Sequence, residues 1–213
     1  MKFNRRMVVL TTLLVLLPMA AGVYFWNALP DPMATHFGFD GTPDRYDSRA
    51  FTVFGMPAIL ALIHLAGISA ARLDKRNRER NEGLTGLMLW IVPIISLFAC
   101  GLIFRSNLVG IKDMTTIGMA SCGVMFTVLG NLMPKIRQNH VVGIRLPWTV
   151  MGSEEVWHRT HRLGGKLWVV CGLVILIDAF AGIARTQVSI AALVSAGVVP
   201  VVYSYVIHRK LDK

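Results

Sequence analysis

The chain has few charged residues for its length, and acidic residues are fewer than basic ones. Of its 213 residues, 16% are charged and 54% are hydrophobic, with 12 Asp and Glu against 22 Lys and Arg. A soluble domain usually has about 25% charged residues. The low charge excludes an ordinary soluble domain, and the grouping of apolar residues into long blocks indicates membrane-spanning helices.

Cysteine patterns and catalytic motifs are also missing. The three cysteines, Cys100, Cys122 and Cys171, each fall inside an apolar run, where thiols usually pack as small hydrophobic groups. The sequence contains no GxSxG, HExxH or paired-carboxylate pattern, which are the signatures of common hydrolases and metalloenzymes. We therefore predict a protein that is not an enzyme and that has no cofactor.

Six apolar runs are long enough to cross a bilayer, which predicts an all-α, polytopic membrane protein. The first run follows a basic head but is too long for the core of a signal peptide, so we interpret it as a retained span. We expect an N-terminal two-helix unit over residues 1–83 and a four-helix unit over residues 84–213. The predicted spans cover residues 7–26, 50–71, 84–104, 114–133, 167–183 and 188–207.

The distribution of Lys and Arg predicts the orientation of these spans. If both termini lie inside the cell, 17 of the 22 basic residues fall in cytoplasmic segments and five fall outside, as the positive-inside rule requires. This arrangement accounts for the net charge of +10 without a nucleic-acid partner. Membrane lipids are the partners that it implies.

The connection between the fourth and fifth spans is far richer in basic and aromatic residues than a simple link needs. We call residues 134–166 the polar segment. Within it, GIRLPW (143–148) predicts a tight turn followed by an extended stretch, because the residue before a proline avoids the helical conformation. Ser153 is a good N-cap for a short helix, and we expect the glycine pair at 164–165 to end that helix. Trp157 and His161 are four residues apart and share a face of it.

Three ordered motifs in and beside this segment carry a family resemblance: NLMPKIRQN (131–139), GIRLPWT (143–149) and VWHRTHRLGGK (156–166). They resemble the SdpI family of bacterial integral membrane proteins. The earlier residues Leu29-Pro30, His36-Phe37, Gly41 and Pro43-Asp44 resemble the small domain of unknown function, DUF1648, that accompanies it. The family is named for an immunity protein against a secreted killing peptide, which also draws a transcriptional repressor to the membrane. The resemblance implies a multi-pass protein of the bacterial inner membrane with a secreted toxin peptide and a cytoplasmic repressor as partners.

We predict that the polar segment is a partner-binding surface. Its basic and aromatic side chains also suit an interfacial anchor, which is the common role of such residues at membrane surfaces. A third interpretation is a zinc site on the HxxH pair His158 and His161, completed by His140 or Glu155, although spacing supplies only two of the three or four ligands needed. The candidate partner-binding residues are Asn139, Gly143, Arg145, Pro147, Trp148, Trp157, His158, His161 and Arg162.

Ionisable residues elsewhere provide further candidates. His64 and Asp178 fall within predicted spans, where such residues usually face the bundle interior and mark function, although His64 also suits a hydrogen bond to a neighbouring helix and Asp178 an interfacial position. In the predicted external loop, residues 27–49, the side chains of His36, Asp40 and Asp44 suit either a peptide or cation site or simple turns. An alternative function is therefore a membrane enzyme or transporter for a lipid-linked or small substrate, which would use His64, Asp178 and the two histidines of the polar segment.

Overall fold

The computed structural model describes residues 4–38, 41–74, 82–110 and 114–211. The described residues contain seven α-helices and one two-stranded antiparallel sheet. The helices are α1 (Arg5–Tyr24), α2 (Met56–Leu73), α3 (Glu82–Val109), α4 (Met114–Leu132), α5 (Pro147–Val150), α6 (Glu154–Ala181) and α7 (Arg185–Leu211), and the strands are β1 (Met33–Phe37) and β2 (Pro43–Asp47).

Six of the helices are long and apolar enough to cross a membrane, which confirms the predicted all-α polytopic architecture. Large apolar side chains cover the outside of these helices, including Leu62 on α2, Ile94 on α3 and Ile177 on α6, each at least 60% exposed. In water such surfaces would be costly to maintain. In a bilayer they face hydrocarbon, so the protein is a multi-pass membrane protein.

The chain divides into two compact units, and the boundary differs from the predicted one. The first unit comprises Met1–Leu73 and Glu82–Met114, and the second comprises Asp74–Asn81 and Thr115–Lys213. We predicted a boundary at residue 83, which would have placed α3 in the second unit. The structure places α3 in the first, because its Cys100, Ile103 and Phe104 share a core with Leu29 and Val53.

The residues between the first two spans form a β-hairpin, whereas the sequence predicted only turns. Ala34 of β1 lies opposite Tyr46 of β2. Asn107 of α3 closes the outer edge of β1, because its side-chain amide donates to the Ala34 carbonyl (2.9 Å) and its oxygen accepts from the Ala34 N–H (2.9 Å). Arg49 donates to the carbonyls of residues 26 and 29. The side chains of Asn107 and Arg49 thus bond to backbone groups at the edge of β1 and after α1, and they hold the hairpin within the first unit.

In the second unit, α4 and α6 approach each other through pairs of glycines. A Cβ atom added at Gly130 would lie 2.7 Å from the carbonyl oxygen of Gly165, and one added at Gly123 would lie 2.7 Å from that of Gly172. Small residues of this kind let helix backbones come close in a membrane. The prediction that the glycines at 164–165 end a helix is therefore wrong: α6 continues through them from Glu154 to Ala181.

Candidate functional site

The polar segment begins where α4 ends and is folded by hydrogen bonds of its own. A short 3₁₀ turn, Met133–Lys135, follows α4, and the chain then runs without regular structure to residue 146. The fully buried Asn139 organises this stretch: its side-chain oxygen accepts from the N–H groups of Val141 and Val142 (both 2.8 Å), and its amide donates to the carbonyl of Arg137 (2.8 Å). One asparagine thus supplies the partners that irregular backbone lacks.

Two further polar side chains hold the four-residue helix α5 in place. The buried Thr149 hydroxyl donates to the Ile144 carbonyl (2.7 Å) and accepts from the N–H of Leu146 (2.8 Å). The Gln138 amide lies 2.9 Å from the carbonyls of both Thr149 and Gly152 at the end of α5. We did not single out either residue from the sequence. Both lie in or beside the motifs that carry the family resemblance.

Trp157 and His161, on the first turns of α6, connect the helix to the irregular stretch. Both side chains are buried, and their rings stack at 3.9 Å with an interplanar angle of 20°, which confirms that they share a face. The Trp157 indole N–H donates to the Ile136 carbonyl (2.8 Å). His161 Nε2 accepts from the Ile144 N–H (2.9 Å), so its ring proton lies on Nδ1, which donates to the Trp157 carbonyl (2.8 Å).

Gly143 is required where the irregular stretch passes over this stacked pair. Its φ angle of 117° lies in a region that L-residues rarely adopt. A Cβ atom on Gly143 would also lie 2.3 Å from His161 Nε2, a distance that real Cβ atoms do not show. Both the backbone conformation and the close approach therefore require glycine.

Ser153 begins α6 as predicted. Its side chain accepts from the Val156 N–H, and Glu154 and Glu155 occupy the first turn, where carboxylates complement the helix dipole. Glu155 also accepts from the Arg159 guanidinium one turn later. The start of α6 is therefore fixed by local chemistry as well as by the stacked rings below it.

The structure divides the nine candidate partner-binding residues into two groups. Asn139, Trp157 and His161 are buried and bond to backbone groups of the segment itself, so a direct contact with a partner does not fit their positions. They support the segment from within. The side chains or backbone atoms available at the surface belong to Gly143, Arg145, Pro147, His158 and Arg162, with Trp148 half-buried.

Trp148 connects the polar segment to the end of α7. Its indole N–H donates to the buried Ser204 hydroxyl (2.9 Å), and its ring meets Tyr205 edge-on at 5.5 Å. An open groove of about 460 Å³ lies beside it, lined by Pro147, Trp148, Met151, Gly152, Ser153 and His208. We predicted an interfacial position for Trp148 but not its partner on α7, because that partner is 56 residues away in sequence.

Asp74 is a contact of the polar segment that the sequence did not indicate. Its carboxylate accepts from the His140 N–H (2.9 Å) and lies 3.5 Å from His140 Nδ1. The Asp74 side chain is almost buried, whereas that of His140 is largely exposed. A carboxylate from the connection after α2 thus belongs to the same unit as the polar segment.

The proposed zinc pair is not arranged for metal binding. His158 is exposed, whereas both ring nitrogens of His161 already have backbone partners. Within residues 4–38, 41–74, 82–110 and 114–211, no group of three or more His, Cys, Asp or Glu residues is placed to hold a metal ion. The close approach of Gly143 further fills the space at Nε2.

His64 and Asp178 each have partners within their own unit. His64 is buried, and its Nε2 lies 3.0 Å from the hydroxyl of Thr11 on α1, which matches the interhelical hydrogen bond weighed from the sequence. Asp178 Oδ1 accepts from the N–H groups of Ile183 and Ala184, both 3.2 Å away, just before α7 begins. A carboxylate at that point complements the N-terminal end of a helix.

Two of the three external candidates lie on the strands of the hairpin. His36 of β1 and Asp44 of β2 form an exposed hydrogen-bonded pair, while Asp40 lies outside the described residues. Nearby, the Thr35 hydroxyl donates to the Asp47 carboxylate, and this bond, with a contribution from Arg45, lowers the pKa of Asp47 below its usual value. The described part of the hairpin therefore carries hydrogen-bonded polar pairs on its surface.

Comparisons with known proteins agree with the motifs. Residues 135–204 match the model of the SdpI/YfhL protein family, and residues 13–61 match the domain of unknown function DUF1648. The chain is 26% identical over 209 residues to the immunity protein SdpI of Bacillus subtilis (strain 168). The aligned region covers 96% of this chain and 97% of that protein. No solved structure matches.

The similarity to the Bacillus subtilis protein extends over nearly the whole chain. The match to the SdpI/YfhL family model includes most of the polar segment. They support the role of a membrane immunity protein. The resemblance predicted from the three motifs is confirmed: in this multi-pass membrane protein, residues 13–61 match the DUF1648 model and residues 135–204 match the SdpI/YfhL family model.

Proposed function

We propose that this protein protects its cell against a secreted antimicrobial peptide and passes the presence of that peptide to a cytoplasmic repressor through the polar segment. The observation that carries the proposal is the internal support of the segment. The side chains of Asn139, Trp157 and His161 form hydrogen bonds with backbone groups of the segment. A segment fixed in this way presents its exposed residues in one arrangement, which a specific partner requires.

The predicted orientation assigns different tasks to the two units. The hairpin with His36 and Asp44 lies on the external side, where a secreted peptide arrives, and the polar segment lies on the cytoplasmic side. In this proposal the hairpin meets the peptide and the polar segment is the output surface. Similarity to a protein named as an immunity protein supports the protective role, and the basic surface of the segment suits an acidic partner.

The alternative of a membrane enzyme or transporter receives no support from the described residues. His64 bonds to Thr11 within the first unit, and Asp178 within the second accepts from the two N–H groups that precede α7. Both ring nitrogens of His161 bond to backbone groups. Three of the four residues therefore have structural partners, and the fourth, His158, is exposed.

Neutralising the exposed arginines of the polar segment tests the proposed output surface. We expect an R145Q/R162Q variant to lose signalling to the repressor by about tenfold, as for the removal of central interface contacts, while the protein still inserts in the membrane. The measurement uses a deletion strain carrying each variant, challenged with the peptide, with survival and a reporter of the repressor read in parallel.

Arg105 of α3 provides the matched control, since it is an exposed arginine of the first unit. An R105Q variant is expected to keep full signalling. If R145Q/R162Q signalled as well as R105Q, the polar segment would be an interfacial anchor and not a partner-binding surface. Immunoblots of the membrane fraction exclude loss of protein as the cause.

A further inference from the structure

One end of the second unit concentrates positive charge. Pro134, just after α4, packs here against Gly165 in the N-terminal half of α6, and Trp148 of α5 bonds to Ser204 near the end of α7. The described acidic residues of this end are Asp74, Glu154 and Glu155, and two of them are already paired with His140 and Arg159. We call this the basic end, and its exposed cations are Lys135, Arg137, Arg145, Arg159, Arg162, Lys166, Arg209 and Lys210.

The groove beside Trp148 opens at the basic end. Its volume of about 460 Å³ is within the range of small-molecule sites. Most of its wall is apolar, and Met151, 78% exposed, stands at its edge. His208 also lines the groove, and the exposed Arg209 and Lys210 follow it directly on α7. The groove therefore lies at the end of a membrane-spanning helix whose last turn carries two exposed cations.

We propose that this groove is a binding site for an anionic phospholipid. The acyl chain lies along Pro147, Trp148 and Met151, and the phosphate meets the cations that end α7. Basic pockets between the ends of spanning helices are known to take anionic head groups. The Trp148 indole suits this position, since amphipathic aromatic rings prefer the level of the head groups.

The combination of surfaces favours a lipid over an acidic peptide. At the end of a spanning helix, a phospholipid places its acyl chain at the level of the apolar wall and its phosphate at the level of the cations. An acidic peptide in the groove would bury backbone N–H and C=O groups against a mostly apolar wall without partners. The inference does not depend on the immunity role, because it concerns a lipid that the resting protein holds.

Native mass spectrometry of the full chain in mild detergent tests the site. The probes are phosphatidylglycerol and phosphatidylcholine with identical acyl chains, added separately. We expect phosphatidylglycerol to be retained and phosphatidylcholine to be lost. In R209Q/K210Q we expect retention of phosphatidylglycerol to fall about thirtyfold, the effect of neutralising two basic residues next to an anionic membrane surface.

Two further variants make the test specific. M151D places a negative charge at the edge of the groove without disturbing the fold, because Met151 is exposed, and it is expected to lose phosphatidylglycerol as well. K135Q/R137Q removes two cations of the same basic end that follow α4 and not α7, and it is expected to retain the lipid. Circular dichroism and thermal unfolding confirm that all three variants fold.

Three results would overturn the proposal. Equal retention of the two lipids would show that the head-group charge is not recognised. An equal loss of phosphatidylglycerol from R209Q/K210Q and K135Q/R137Q would show attraction to the whole basic end without a site. Binding of a polyglutamate peptide, lost in R209Q/K210Q and M151D while neither variant affects the lipid, would assign the groove to an acidic protein partner.

Discussion

A Gly130→Leu variant is expected not to accumulate as a folded protein, whereas Gly118→Leu is expected to accumulate normally. A Cβ atom at Gly130 would lie 2.7 Å from both the Gly165 carbonyl oxygen and the Val169 nitrogen. These are backbone atoms of α6 and cannot rotate away. Overpacking usually costs about 1–3 kcal/mol, and separating two helix backbones costs more. The expected loss is therefore a large part of a total stability of about 5–15 kcal/mol.

Gly118 lies on the same helix, is exposed, and has nothing within 4 Å of an added Cβ atom. The two substitutions therefore have the same effect on helix propensity and differ only in packing. The measurement is the midpoint of thermal aggregation in detergent, read by size-exclusion chromatography, together with the amount of protein in the membrane. Equal midpoints for the two variants would show that α4 and α6 do not pack through these glycines.

A His161→Ala variant is expected to lose about 3–5 kcal/mol of the free energy of unfolding of the second unit, and a His158→Ala variant less than about 0.5 kcal/mol. Removing the His161 ring leaves the Ile144 N–H without its acceptor, which alone costs about 1–3 kcal/mol when the group is buried. The stacking with Trp157 is lost as well. His158 is exposed and its removal leaves no cavity.

His161→Phe separates the two contributions, since it keeps a ring against Trp157 but cannot accept a hydrogen bond. We expect an intermediate loss. Unfolding in denaturant, followed by tryptophan fluorescence, gives the free energies in all three variants. If His158→Ala and His161→Ala destabilised the protein equally, and a chelator reproduced the loss in the unmodified protein, the two histidines would share a metal ion and the hydrogen-bonding role would be rejected.

The span pattern could be predicted because it depends on composition alone. A run of about 20 apolar residues has few alternatives to crossing a bilayer, and all six runs form long helices. The cap at Ser153 and the shared face of Trp157 and His161 were also predictable, since both follow from spacing along one helix. Each of these features is local in sequence.

The hairpin and the glycine contacts could not be predicted in the same way. Proline, glycine and aspartate between the first two spans are typical of turns, and only the pairing of β1 with β2 and the bond from Asn107 to Ala34 make strands of them. Gly165 was expected to end a helix because glycine has low helix propensity. Packing against Gly130 outweighs that propensity, and it depends on a helix 35 residues earlier.

The interior of the polar segment was the hardest part to predict. Residue types such as those of Asn139 and Trp157 are common on binding surfaces, so their burial was not expected. Irregular backbone also has no periodicity from which the buried face could be predicted. Whether a polar side chain turns outward or bonds to its own loop depends on where backbone groups lack partners. The family motifs mark this segment, but the structure was needed to separate its supporting residues from its exposed ones.

The glycine pairs also limit how the second unit can move. Gly123 faces Gly172 and Gly130 faces Gly165, so both helices carry glycine at the same seven-residue interval and interlock in one antiparallel register. A slip of α6 along α4 by a single turn, about 5.4 Å, would bring side chains into the space that the glycines leave. The glycine pairs therefore prevent α4 and α6 from sliding past each other by a turn, as helices do in some switches. A conformational change that crosses the unit must move α4 and α6 together or rearrange the chain at their ends.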